Sequence, residues 1–213
     1  IPSGRIPPIN ALIFGSILSV FGIFFIYTTV NSLTAIICLL TVFLYLFVYT
    51  PSKRFSTLNT LIGSIPGALP VLGGWTAATD SLNSVSWILF SILFCWQIPH
   101  FLAIAIIYAK DYKKGGFKML PSEYPNSKHT QYHVLFFSIA MVGTSLGLYF
   151  KANEIIDLVY LLGISVVGVL FLVVVLQFLF NSSNKNAKKL MRATLFYFPL
   201  MFILIILAAK GVI

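Results

Sequence analysis

One apolar run of this chain carries Trp96-Gln97-Ile98-Pro99-His100-Phe101 near its middle, the most polar patch in any such run. Gln97 and His100 are three residues apart and would share a helix face. Pro99 has no amide hydrogen, so it would free the carbonyl of Cys95 and widen the local turn. A neutral imidazole can ligate a metal or hold a water. An ionisable side chain inside a span usually faces a bundle interior or a cavity. A bond from His100 to a neighbouring helix is the structural alternative. A second patch reads Lys110-Asp111-Tyr112-Lys113-Lys114-Gly115-Gly116-Phe117-Lys118-Met119-Leu120-Pro121. Glycines let backbone approach an anion closely, and lysines act as point charges on phosphate. Asp111 could hold a Mg²⁺ that bridges phosphate oxygens. The alternative there is a solvated basic connection. Lys53, Arg54 and Asn59 form a third polar cluster, just before a span.

The elements that position these residues follow from composition. The chain has 213 residues, 59% hydrophobic and 9% charged, whereas a soluble domain is about 25% charged. A bilayer span takes roughly 20 mostly apolar residues. Runs at about 9–29, 33–49, 61–79, 85–109, 132–150, 155–180 and 193–209 are long enough to span, with 33–49 and 193–209 at the short limit. The expected fold class is therefore all-α, a polytopic transmembrane helical bundle with seven spans in one domain, 1–213. Apolar content excludes a disordered chain, and continuous rather than alternating apolar runs argue against a transmembrane β-barrel. The formal net charge is +9, which in a soluble chain would suggest nucleic acid. Here it reflects basic loops on one side of a membrane, and no nucleic-acid partner is expected.

Assigning alternate loops to alternate sides puts twelve of the 14 basic residues with the N-terminus and leaves Lys151 and Lys210 opposite. That asymmetry places the N-terminus in the cytoplasm. Cys38 and Cys95 both lie in apolar runs, so neither a disulfide framework nor a cysteine metal site is expected. No charged segment precedes a short apolar stretch, so no signal peptide is expected, and Ile1 suggests that the true start lies upstream. The run Leu61–Thr79 is irregular, with Pro66, Pro70, Gly63, Gly67, Gly73 and Gly74. Such breaks persist in lipid only where neighbours or a cavity satisfy the freed carbonyls. Gly63 and Gly67, four apart, would allow close helix approach. Two irregular spans and two polar loops at one side predict a cavity open to the cytoplasm.

Several of these stretches carry a family resemblance. Thr50-Pro51-Ser52-Lys53-Arg54 with Asn59, Ile62-Gly63, Gly67-Ala68-Leu69-Pro70 and Gly73-Gly74-Trp75 resemble the signature of UbiA-type intramembrane prenyltransferases, in the protohaem IX farnesyltransferase (haem O synthase) branch. Trp96 to Phe101 is similar to that branch's Trp-Gln-x-Pro-His-Phe. Asp111-Tyr112, Gly116 and Met119-Leu120-Pro121 resemble its Asp-Tyr-x-x-x-Gly-x-x-Met-Leu-Pro loop, and Thr194 to Pro199 its last helix. The family has about nine spans and an aspartate-rich motif after the second. Ile1 to Ile6 resembles the tail of the stretch following that motif, so a chain lacking the first two helices is expected. Val71 and Leu102 stand where the family often has proline and an aromatic residue.

The resemblance implies transfer of a farnesyl group from farnesyl diphosphate to a vinyl group of haem b, with haem as substrate rather than cofactor. It implies catalytic roles for His100, Asp111 and Lys114, and substrate contacts from Lys53, Arg54, Asn59, Trp96, Gln97, Tyr112 and Lys118. Asp111 would be a Mg²⁺ ligand. His100 would sit at the acceptor end, on the haem iron or on the quenching water, with Gln97 orienting it or the porphyrin. The setting implied is the inner cell membrane and its lipid bilayer, with haem A synthase as a downstream partner. A UbiA-type enzyme with an aromatic acceptor is the near alternative, against which the Trp96–Phe101 match argues. A multi-pass transporter with a midplane site at Pro66, Pro70 and His100 is the distant one, but paired broken segments in two similar halves are missing.

Overall fold

Seven helical stretches of 21 to 24 residues are long and apolar enough to cross a membrane. They lie in a computed structural model that describes residues 1, 3–125 and 127–209. The spans are α1 (Pro8–Thr29); α2 (Ser32–Phe43), continuing through a π-helical turn (Leu44–Tyr49) into α3 (Thr50–Phe55); α4 (Asn59–Thr79); α5 (Ser84–Ile107); α8 (His129–Ala152); α9 (Leu158–Phe180); and α10 (Asn184–Leu207). Two short helices, α6 (Ala109–Lys114) and α7 (Leu120–Glu123), occupy the basic connection after α5. Pro2 and Lys210, used in the sequence reading, lie outside the described residues.

The all-helical bundle matches the expected class, and two boundaries differ from the apolar runs. The second span does not end near residue 49. Pro51 cannot donate a backbone hydrogen bond, and the wider π-turn before it carries the helix past, with the Thr50 N–H donating to Tyr45 O. The last span starts at Asn184, well before its apolar run. Ser183 caps it by accepting from the Asn186 N–H, and the exposed Lys185, Lys188, Lys189 and Arg192 extend the helix beyond its apolar part. Those turns are mostly polar and exposed, with only Ala187 and Leu190 buried among them, so hydropathy alone misses them.

The core is centred on α5, which packs against α4, α8 and α10. Ile92, Ile98 and Leu102 of α5 are buried with Val134 and Met141 of α8 and with Leu190, Tyr197 and Met201 of α10. Both α4 and α5 run unbroken through their prolines. Gln97 Nε2 donates to Ser64 O at 3.2 Å and so ties α5 to the α4 backbone between Gly63 and Pro66.

The ends of the bundle are tied separately. At one end the Lys118 N–H donates to Lys53 O at 3.0 Å, and Gln131 Nε2 donates to Ser182 Oγ at 3.2 Å. The three basic connections therefore meet there. At the other end Asn31 Nδ2 donates to Thr76 O at 2.8 Å, and the Asp157 N–H donates to Ala208 O at 2.9 Å.

Candidate active site

Tyr45, Tyr49 and Lys53 recur every fourth residue and so form a stripe along the π-turn and α3. The two tyrosine rings lie 5.3 Å apart. Facing them, α4 presents Asn59, Thr60, Gly63 and Gly67, and α5 presents Gln97 and Phe101. Tyr112, Phe117 and Met119 from the basic connection complete the lining of a cavity of about 330 Å³. The two glycines create the room. A Cβ at Gly63 would come 2.6 Å from the Tyr49 ring, and one at Gly67 would collide with Gln97 Oε1.

Lys53 is held by aromatic faces. Its Nζ lies 5.8 Å from the Tyr49 centroid and 5.2 Å from that of Phe117, within cation–π reach. Asn59 is 1% exposed. Its Nδ2 donates to Ser56 O and to Lys118 O, both at 2.7 Å, and its Oδ1 accepts from Thr60 Oγ1 at 3.3 Å. Asn59 thereby fastens the 115–119 segment to the start of α4. Gly116 turns that segment with φ +72°, a conformation that side chains disfavour. A more open hollow of about 310 Å³, lined by Tyr108, Asp111, Tyr112 and Phe117, shares its last two residues with the cavity. Arg54, Asp111, Lys114 and Lys118 are exposed at this end.

The structure separates His100 from Gln97. Gln97 donates through Nε2 to Ser64 O and Leu93 O, both at 3.2 Å, and forms part of the cavity wall. His100 instead turns to α10, where Nδ1 lies 2.8 Å from Thr194 Oγ1. Its ring stacks on Trp96 at 4.9 Å and 12°, and Trp96 Nε1 donates to Thr194 O at 2.7 Å. The expected Gln97–His100 partnership is thus corrected. Three residues on a helix leave an angle of about 60°, enough here to send one side chain to α4 and the other to α10.

Of the residues nominated from sequence, the cavity gathers Lys53, Asn59, Gln97 and Tyr112, with Asp111 in the adjoining hollow. Trp96 and His100 sit on the α10 side. The sequence reading missed Tyr45, Tyr49, Phe101 and Phe117 as lining. The Tyr45-Tyr49-Lys53 spacing held a usable signal. Thr194 had none as a partner, because its contacts come from 94 and 98 residues away. Among the described residues no group of three His, Cys, Asp or Glu side chains could hold a metal. Asp111 offers one carboxylate, so these residues do not by themselves make a metal centre.

The UbiA prenyltransferase family matches residues 1–206. The protoheme IX farnesyltransferase of Solibacter usitatus is 36% identical over 213 residues, 99% of this chain and 72% of that protein. That of Salinibacter ruber is 38% identical over 199 residues, 93% and 70%. That of Bacillus pumilus is 49% identical over 124 residues, 57% and 40%. A structure solved in work on digeranylgeranylglyceryl phosphate synthase in membranes shares the fold, with a TM-score of 0.79 over 98% of this chain and 72% of that one at 22% identity.

Proposed function

The chain belongs to the UbiA prenyltransferase family, and we propose that it transfers a farnesyl group from farnesyl diphosphate to a vinyl group of haem b, giving haem O. The observation that carries this reading is the cavity: one lysine at its basic end, aromatic walls, and a place within a multi-pass membrane bundle. Family members generally use a divalent metal. Asp111 would give one carboxylate toward an ion such as Mg²⁺, and the steps below run through this chain's own cations and rings.

The C1–O bond of the allylic diphosphate breaks, and its electron pair leaves on the diphosphate. Lys53 meets that growing charge inside the site, and the exposed Arg54, Lys114 and Lys118 add a positive field at the same end. An allylic cation remains. The faces of Tyr45, Tyr49, Phe101, Tyr112 and Phe117 favour a cation, and the same rings limit the access of water to it. The terminal vinyl carbon gives its π pair to C1, which moves the positive charge to the carbon next to the porphyrin. Water adds there and loses a proton, leaving a hydroxyethylfarnesyl side chain. His100 acts at this acceptor end. In this reading the basic end faces the cytoplasm from the inner membrane, and haem A synthase takes the product.

The test is direct. Membranes carrying the protein are incubated with farnesyl diphosphate and haem b, and the extracted haem is read by mass spectrometry. Haem O is the expected product. A prenylated 4-hydroxybenzoate in a parallel incubation, with haem b untouched, would overturn the reading in favour of an aromatic acceptor.

A further inference from the structure

We infer that Thr194 is the positioning residue for His100 and holds its imidazole as the Nδ1–H tautomer, leaving the lone pair on Nε2. The argument is a proton count. Thr194 Oγ1 lies 2.6 Å from Met191 O and 2.8 Å from His100 Nδ1. The hydroxyl has one proton to give. A backbone carbonyl can only accept, so the short bond to Met191 O uses that proton. While that bond stands, the hydroxyl has only lone pairs to offer Nδ1, and Nδ1 donates. The opposite tautomer would give up the 2.6 Å bond and leave Met191 O with its helical N–H partner alone. A neutral imidazole carries one N–H, so Nε2 is the basic nitrogen.

The ring is fixed in the same place by a second contact. Trp96 stacks on it and donates through Nε1 to the carbonyl of Thr194. One residue of α10 therefore receives both Trp96 and His100 of the α5 motif. His100 is 9% exposed, so water competes little for these bonds. The inference rests on the reading that His100 works at the acceptor end, where Nε2 would meet the haem iron or the quenching water. A partner that fixes one ring nitrogen so that the other can act is a recurrent arrangement at ligating histidines.

The test is nitrogen NMR of ¹⁵N-histidine protein in lipid discs, with His129→Gln and His133→Gln leaving His100 as the one histidine. A single Nδ1-protonated tautomer is expected in the otherwise native protein, and it needs no change at Thr194 to be seen. Thr194→Ser should keep it. Thr194→Val, close in shape but without the hydroxyl, should give a mixture of tautomers and lower haem O turnover by about 10- to 100-fold. An Nε2-protonated ring in the native protein would overturn the inference. So would an unchanged tautomer in Thr194→Val, or a changed tautomer with unchanged turnover. Absence of haem O formation by the native protein would instead sink the functional reading, and the spectrum would still report on the tautomer.

Discussion

At the scale of single residues, Lys53 and its neighbours in sequence part company. Lys53, Arg54 and Asn59 read as one polar cluster, yet only Lys53 brings a charge to the cavity. Asn59 has spent both amide hydrogens on backbone carbonyls, and Arg54 is exposed. The difference is invisible in the residue types, because it depends on which side of α3 meets the 115–119 segment. An exposed charge is screened by salt over about 10 Å at 0.1 M, while a partly buried one is screened less. Lys53→Met keeps the aliphatic stem and removes the charge. It should lower kcat/KM for farnesyl diphosphate by about 30- to 1,000-fold, or about 2–4 kcal/mol. Lys114→Ala should cost less than about tenfold, with the loss shrinking as salt is raised. Steady-state kinetics at two salt concentrations separate the cases. Equal losses would move the diphosphate from the cavity to its rim.

At the scale of elements, the packing of α4 against the second span and against α5 explains Gly63 and Gly67 in the proline-containing span. The spacing of Gly63 and Gly67 was legible as close helix approach. What approaches was not: a tyrosine ring from the second span and a carboxamide from the fourth. The spans themselves were legible because length and hydropathy set them. The extra turns of α3 and α10 were not, because they depend on capping and on a π-turn. Gly67→Ala should force the Gln97 carboxamide off Ser64 O and into the cavity. Overpacking of this kind costs about 1–3 kcal/mol, so the melting temperature in detergent should fall. Gly67→Ala combined with Gln97→Ala should recover most of that loss. Gly74→Ala on the same helix, where a Cβ would meet nothing within 4 Å, serves as the control and should be neutral or slightly stabilising. If the double variant melts no higher than Gly67→Ala alone, the collision is not what the glycine avoids.

At the scale of the whole molecule, charge and hydrogen bonding describe the same polarity by independent routes. Twelve of 14 basic residues fall on one side when loops alternate. Bonds between the 118 and 53 segments, and between Gln131 and Ser182, bring the connections that carry most of them to one end. The cavity lies toward that end, so orientation decides from which compartment the diphosphate arrives. The positive-inside bias predicts the cytoplasm. With Cys38 and Cys95 first replaced, single cysteines at Ser52, Lys114, Lys189 and Lys151 can be probed in intact cells with a maleimide that does not cross membranes. Removing one lysine from twelve leaves the asymmetry nearly intact, so the substitutions should not themselves reverse the protein. Lys151→Cys should label from outside, and the other three only after the cells are opened. Labelling of all three from outside, with Lys151→Cys protected, would invert the orientation while keeping the bundle. A split, with Ser52→Cys and Lys189→Cys on opposite sides, would contradict the bundle itself, because the bonds that gather the basic connections require them to share one face of the membrane.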